Sequence, residues 1–179
     1  MLANITSFRC GATLFIADPD LHAVCTAARD WATRCNRQQI EAADLLLAVY
    51  YNARNNVSEL LQMAVKVPQL DGAALQHWRS DLCGVGVEGG FGASGRAILA
   101  LTAELGIHYR APVGDNVSLL TSADLAVALL NDEPVKAALR AAGVAEVYLR
   151  HLEAALRLQE RQPVDFDAVD LTSPSMVLH

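Results

Sequence analysis

A chain of 179 residues, 53% apolar but only 6% aromatic, can build one domain with a sizeable core packed mainly by Ala and Leu. Its formal net charge of −6 supplies no cationic face and argues against nucleic acid as a partner. The longest apolar run, Leu45 to Tyr51, is too short to span a bilayer, and Asn4, Thr6, Ser7 and Arg9 interrupt any signal-peptide core, so the expectation is a cytoplasmic protein with no membrane partner.

Residues 1–17 are mixed in character and read as an N-terminal arm or a short leading helix. Asp18-Pro19-Asp20 is a helix start: Asp18 can cap, Pro19 suits the first helical position, and Asp20 complements the dipole. Leu21, Val24, Cys25, Ala28, Trp31, Ala32 and Cys35 follow at helical spacing, which predicts one apolar face on a helix ending near Asn36. A central helix is predicted over 42–53, broken by Asn55-Asn56, and a short helix from Val57 to Val65. Asp71 can cap a fourth helix reaching Cys83, with Leu75, Trp78 and Leu82 inward.

Gly84 to Gly92 holds five glycines, an entropy that a core element would not tolerate, so 84–93 reads as a linker. Ser94 caps the fifth helix, which presents Ile98, Leu101, Thr102 and Leu105 and has Gly106 as its C′ residue. Residues 107–120 read as a loop. Thr121 or Ser122 caps a second central helix, Asp132 the next, with Gly143 as its stop, and a last helix runs over 145–161. Pro163 ends it, and 163–179, with Asp165, Asp167 and Asp170, reads as a loose acidic tail.

One stretch occurs twice. Ala43-Asp44-Leu45-Leu46-Leu47-Ala48 returns as Ala123-Asp124-Leu125-Ala126-Val127-Ala128. Upstream, Val24, Ala28 and Trp31 line up with Ile98, Thr102 and Leu105. Downstream, Val57, Leu61 and Val65 line up with Val135, Leu139 and Gly143. A repeat of this kind decides the architecture. With few segments alternating at period two, the expectation is an all-α fold: two four-helix repeats, 18–83 and 94–162, related by a pseudo-twofold axis.

This order of helices, with its Leu-rich central run and a short helix after it, resembles the double-repeat N-terminal domain of Clp-type AAA+ chaperones (ClpA, ClpB, ClpC and ClpV among them) over roughly residues 18 to 160. Where that family usually has Glu-His before the Leu run, this chain has Ala43-Asp44 and Ala123-Asp124. The resemblance implies docking of substrates, adaptors or a partner helix for an unfoldase, in a protease-adaptor or a type VI secretion setting. The alternative is a small helical enzyme or ligand-binding regulator whose site does not show in the sequence.

The search for chemistry returns little. Gly90 to Arg96 lacks the Lys and following hydroxyl that a phosphate loop needs. His22, His77, His108, His151 and His179 sit singly, without metal-ligand spacing. None of Cys10, Cys25, Cys35 and Cys83 forms a C-x-x-C pair, and Cys25 falls on the apolar stripe, where a thiol is inert. The expectation is no catalytic, metal or cofactor site, and a protein or peptide partner.

Two groups of residues stand out. Asp44 and Asp124 occupy the same point of both copies, either as first-turn carboxylates complementing the helix dipole or as a symmetric binding pair. Tyr50, Tyr51 and Arg54 close the first central helix, have no counterpart in the second copy, and are residue types enriched at binding hot spots. Tyr50 could equally cap the core with its hydroxyl in water. One prediction follows from the missing phosphate-loop lysine: the purified protein releases no phosphate from ATP above background in a steady-state assay.

Overall fold

The computed structural model describes residues 7–35, 37–54, 56–64, 90–109, 114, 116–159 and 176–178. Four strands and seven helices lie within them. In chain order they are β1 (Ser7–Cys10), β2 (Thr13–Ala17), α1 (Pro19–Arg34), α2 (Ala42–Asn52), α3 (Val57–Ala64), α4 (Ala93–Tyr109), β3 (Val117–Leu120), α5 (Ser122–Asn131), α6 (Glu133–Ala141), α7 (Glu146–Leu156) and β4 (Met176–Leu178).

The all-α expectation is therefore wrong; this is an α/β protein with a mixed sheet of order β3-β2-β1-β4. β1 and β2 form an antiparallel hairpin, while β4 joins β1 and β3 joins β2 in parallel. The N-terminal arm supplies the hairpin. The 107–120 loop supplies β3, and the tail supplies β4 rather than running loose at that point. The two-residue hairpin connection opens with Gly11 at φ 58°, a conformation that glycine adopts without a Cβ penalty.

The physical reason for the error lies in β2. Phe15 and Ala17 join the main core, where Phe15 stacks on Phe8 at 5.5 Å, while Leu14 and Ile16 pack with Leu119 in a second apolar cluster. A strand buried on both faces is a continuous apolar run without alternation, and periodicity cannot separate it from a helix.

The helix starts stand where the residue types place them. The Asp18 side chain accepts the Leu21 N–H at 2.7 Å, and the Asp132 side chain accepts the Val135 N–H at 3.1 Å. Asp44 and Asp124 hold the same position in α2 and α5: each Oδ2 accepts the backbone N–H three residues earlier, of Glu41 at 3.0 Å and of Thr121 at 2.8 Å. The aligned pairs Val24/Ile98, Ala28/Thr102, Val57/Val135 and Leu61/Leu139 are all buried.

The two halves are tied together reciprocally. The residue before α1 donates across to the residue before the α5 cap, Asp18 N–H to the Leu120 carbonyl at 2.8 Å. The residue before α4 donates to the residue before the α2 cap, Gly92 N–H to the Ile40 carbonyl at 2.9 Å. Side chains repeat the exchange: Ser122 Oγ donates to Asp20 Oδ2, and Ser94 Oγ donates to Glu41 Oε2 while accepting the Ala42 N–H at 3.0 Å.

Three further expectations change. α4 does not stop at Gly106 but continues to Tyr109, and a Cβ at Gly106 would press on the end of the Leu120 side chain. The end of the expected linker is core: Phe91 is fully buried and bridges Ile40, and Gly95 lies so close to the Ile40 carbonyl that a side chain could not fit. α7 ends at Leu156 rather than at 161. The expected helix from Asp71 to Cys83 and the glycines of 84–89 lie outside the described residues.

α2 and α5 form the centre, with residues 42–50 and 122–130 buried without interruption. Leu45 and Leu125, each next to its repeated Asp, are fully buried. Leu45→Ala and Leu125→Ala should therefore each cost roughly 2–5 kcal/mol through the cavity left behind, read as a fall in the urea midpoint at unchanged slope.

Candidate recognition site

Continuous burial of α2 ends at Tyr50. Tyr50 is 1% exposed and Tyr51 38% exposed, so neighbouring tyrosines divide between core and surface. Tyr50 is thus removed from the set of residues a partner can touch: its ring meets Tyr51 edge-on at 5.0 Å, and its carbonyl accepts from Ser58 Oγ and from Gln62 Nε2 at 2.9 Å. Arg54 is exposed, but its backbone serves the fold, donating to both oxygens of Asp20 at 2.9 and 3.0 Å. That bond brings the end of α2 to the start of α1, so the two helices run in opposite directions. Helical side chains lean toward their own N-terminus, and in opposed helices they lean toward each other.

Trp31 and Tyr51 meet in this way, with ring centroids 5.8 Å apart and planes inclined by 27°. The Arg34 guanidinium lies over the Trp31 ring, 5.7 Å from its centroid. Beside them is a half-open hollow of about 280 Å³ lined by Ala27, Asp30, Trp31, Arg34, Tyr51 and Asn52. The four α1 residues fall at i, i+3, i+4 and i+7, one stripe of the helix. Sequence reasoning found Tyr51 but missed Trp31, Asp30 and Arg34. Trp31 falls on the apolar stripe of α1 in sequence but is only half-buried. The available signal was the charge pair bracketing it on the same stripe.

Asp44 and Asp124 do not line the hollow. Each is used at its own helix start, and Asp44 also pairs with Arg37 in the loop before α2. Their burial, 0% and 7% exposed, leaves them no surface for a ligand.

A second polar group was not foreseen. Asp18, Asp20 and Asp124, all buried, gather where α1 and α5 begin. Burial pushes the Asp18 carboxyl up to about 6, the charges of Asp20 and Asp124 push the same way, and the Leu21 N–H opposes them. Asp18 Oδ2 has no hydrogen-bond partner among the described residues. Burial likewise raises the Cys25 thiol to about 12, so it stays protonated at neutral pH. Among the described residues no three His, Cys, Asp or Glu side chains form a group that could hold a metal, and no helix is long and apolar enough to cross a membrane.

No protein-family model matches the chain, and no curated protein matches it.

The Asp18 site makes a signed prediction. Its carboxyl titrates higher folded, at about 6, than unfolded, near 4. Its contribution to stability is full below the unfolded value and is lost as pH rises through about 6. Asn at this position keeps the cap acceptor without the charge. Asp18→Asn should therefore gain stability relative to wild type as pH rises from about 4 to 7, measured by urea unfolding across that range.

Proposed function

We propose that this chain is a non-catalytic protein-recognition module that holds one anchoring side chain of a partner in the hollow between α1 and α2. The supporting observation is the Trp31–Tyr51 stack with Arg34 laid over it at the rim of that hollow. Trp, Tyr and Arg dominate binding hot spots because they offer large contact areas and directed polar edges. Tyr51 is among the few large apolar side chains that the described surface exposes. At about 280 Å³ the hollow falls just below the usual range for small-molecule pockets, about 300–1,000 Å³, and suits a single large side chain.

The resemblance to Clp-type N-terminal domains gives this module a setting: docking a substrate, adaptor or partner helix for an unfoldase. In its favour is the order α1-α2-α3 returning as α4-α5-α6, with Asp44 and Asp124 at matching positions. The sheet is a departure from the expected all-helical form, added at the ends of the helical unit and between α4 and α5. Among the described residues, the enzyme or ligand-binding reading has the buried cluster of Asp18, Asp20 and Asp124 to draw on. Those carboxylates cap helices or tie the halves together, and none of them lines the hollow.

The test is selection of a randomised peptide display library on the full chain. Enriched peptides should bind the Tyr51→Ala protein about tenfold more weakly, or about 1.4 kcal/mol, with the urea midpoint nearly unchanged. A selection that enriches nothing, or peptides indifferent to Tyr51, would overturn the reading.

A further inference from the structure

Asp30 and Arg34 stand four residues apart on α1, acid before base, the order that favours pairing along a helix. The same spacing and order do pair on α7: Glu146 with Arg150 at 3.8 Å, and Glu153 with Arg157. No ion pair joins Asp30 to Arg34, because the Arg34 guanidinium is drawn over the Trp31 ring instead. Both charged groups are exposed, and neither has a hydrogen bond or ion pair among the described residues. The hollow therefore carries an open carboxylate and an open guanidinium about one helical turn apart, with the Trp31–Tyr51 stack beside them.

We propose that its occupant is a peptide segment in which one large apolar side chain is flanked by a basic residue on one side and an acidic residue on the other. This rests on the protein-recognition reading above and names its partner's chemistry. The apolar side chain lies on Trp31 and Tyr51. The basic group meets Asp30, and the carboxylate meets Arg34, whose planar fork of N–H donors matches a carboxylate in paired hydrogen bonds. Held over the indole, the guanidinium loses less freedom on binding than a free side chain would. Opposite charges on the two flanks also fix the direction in which the segment lies, since reversing it sets like charges together.

The experiment compares peptides from the display selection on the wild-type chain with those selected on the Asp30→Arg/Arg34→Asp double variant. Both positions are exposed, and circular dichroism checks that the variant is folded. Wild type should select an apolar anchor with a base on one flank and an acid on the other, and the double variant the same anchor with the charges exchanged. A synthetic wild-type winner should lose about tenfold in affinity on the double variant, and its charge-exchanged twin should recover most of that loss. Asp30→Asn and Arg34→Gln should each weaken the wild-type winner severalfold and reduce its salt dependence. If both proteins select one pattern, or the exchanged twin recovers nothing, this inference is overturned while the anchor reading stands on its Tyr51 dependence. If no peptide depends on Tyr51, both fall together.

Discussion

Two helices buried on every side need their N–H groups satisfied from within the protein. An α-helix leaves its first N–H groups without an intrahelical partner, and water normally takes them. α2 and α5 have no such recourse, because residues 41–50 and 118–130 are buried without a break. Leaving those donors unpaired would cost on the order of 1–3 kcal/mol each. The response is local and also shared between the halves. Asp44 and Asp124 turn back to the chain entering their own helices. The segment before each buried helix then joins the segment before a helix of the other half, through Asp18 with Leu120 and Gly92 with Ile40. Ser94 accepts the first N–H of α2 directly.

That solution concentrates carboxylates. Asp18 caps α1 while Asp20 takes Ser122 Oγ and the Arg54 N–H, and Asp124 closes the α5 entry nearby. Each bond is favourable alone, but the charges of Asp20 and Asp124 bear on the buried Asp18. The mismatch falls on Asp18, whose second oxygen lacks a partner among the described residues and whose carboxyl is pushed up to about 6. Asp44, in the other half, has Arg37 as its partner. The two halves share a bonding plan without sharing its electrostatics.

The proposed recognition site lies where the same constraint relaxes. Continuous burial of α2 stops after Tyr50, and the next residue turns to solvent. The bond from Arg54 to Asp20 ties the chain after α2 to the start of α1, and Tyr51 and Trp31 meet on two helices rather than on a free loop. A rigid aromatic pair on two packed helices keeps most of its contact energy on binding, since little side-chain freedom remains to be lost.

By itself the sequence determined what is encoded within one helix. Asp18-Pro19-Asp20 marks a start, Asp132 a second, and the repeated Ala-Asp-Leu a third and fourth, because capping depends on residues three positions apart. The buried Leu45 and Leu125 were legible for the same reason. Tertiary structure alone decided the sheet, because Leu14, Phe15 and Ile16 are apolar on both faces and only the partners Phe8 and Leu119 reveal a strand. It also decided the proposed recognition surface. Tyr50 and Tyr51 are the same residue type in sequence, and one step of about 100° around the helix sends the first into the core and the second onto Trp31. That Arg34 sits over the indole rather than against Asp30 is a choice between two neighbours on its own helix, three and four residues back, which spacing alone does not decide.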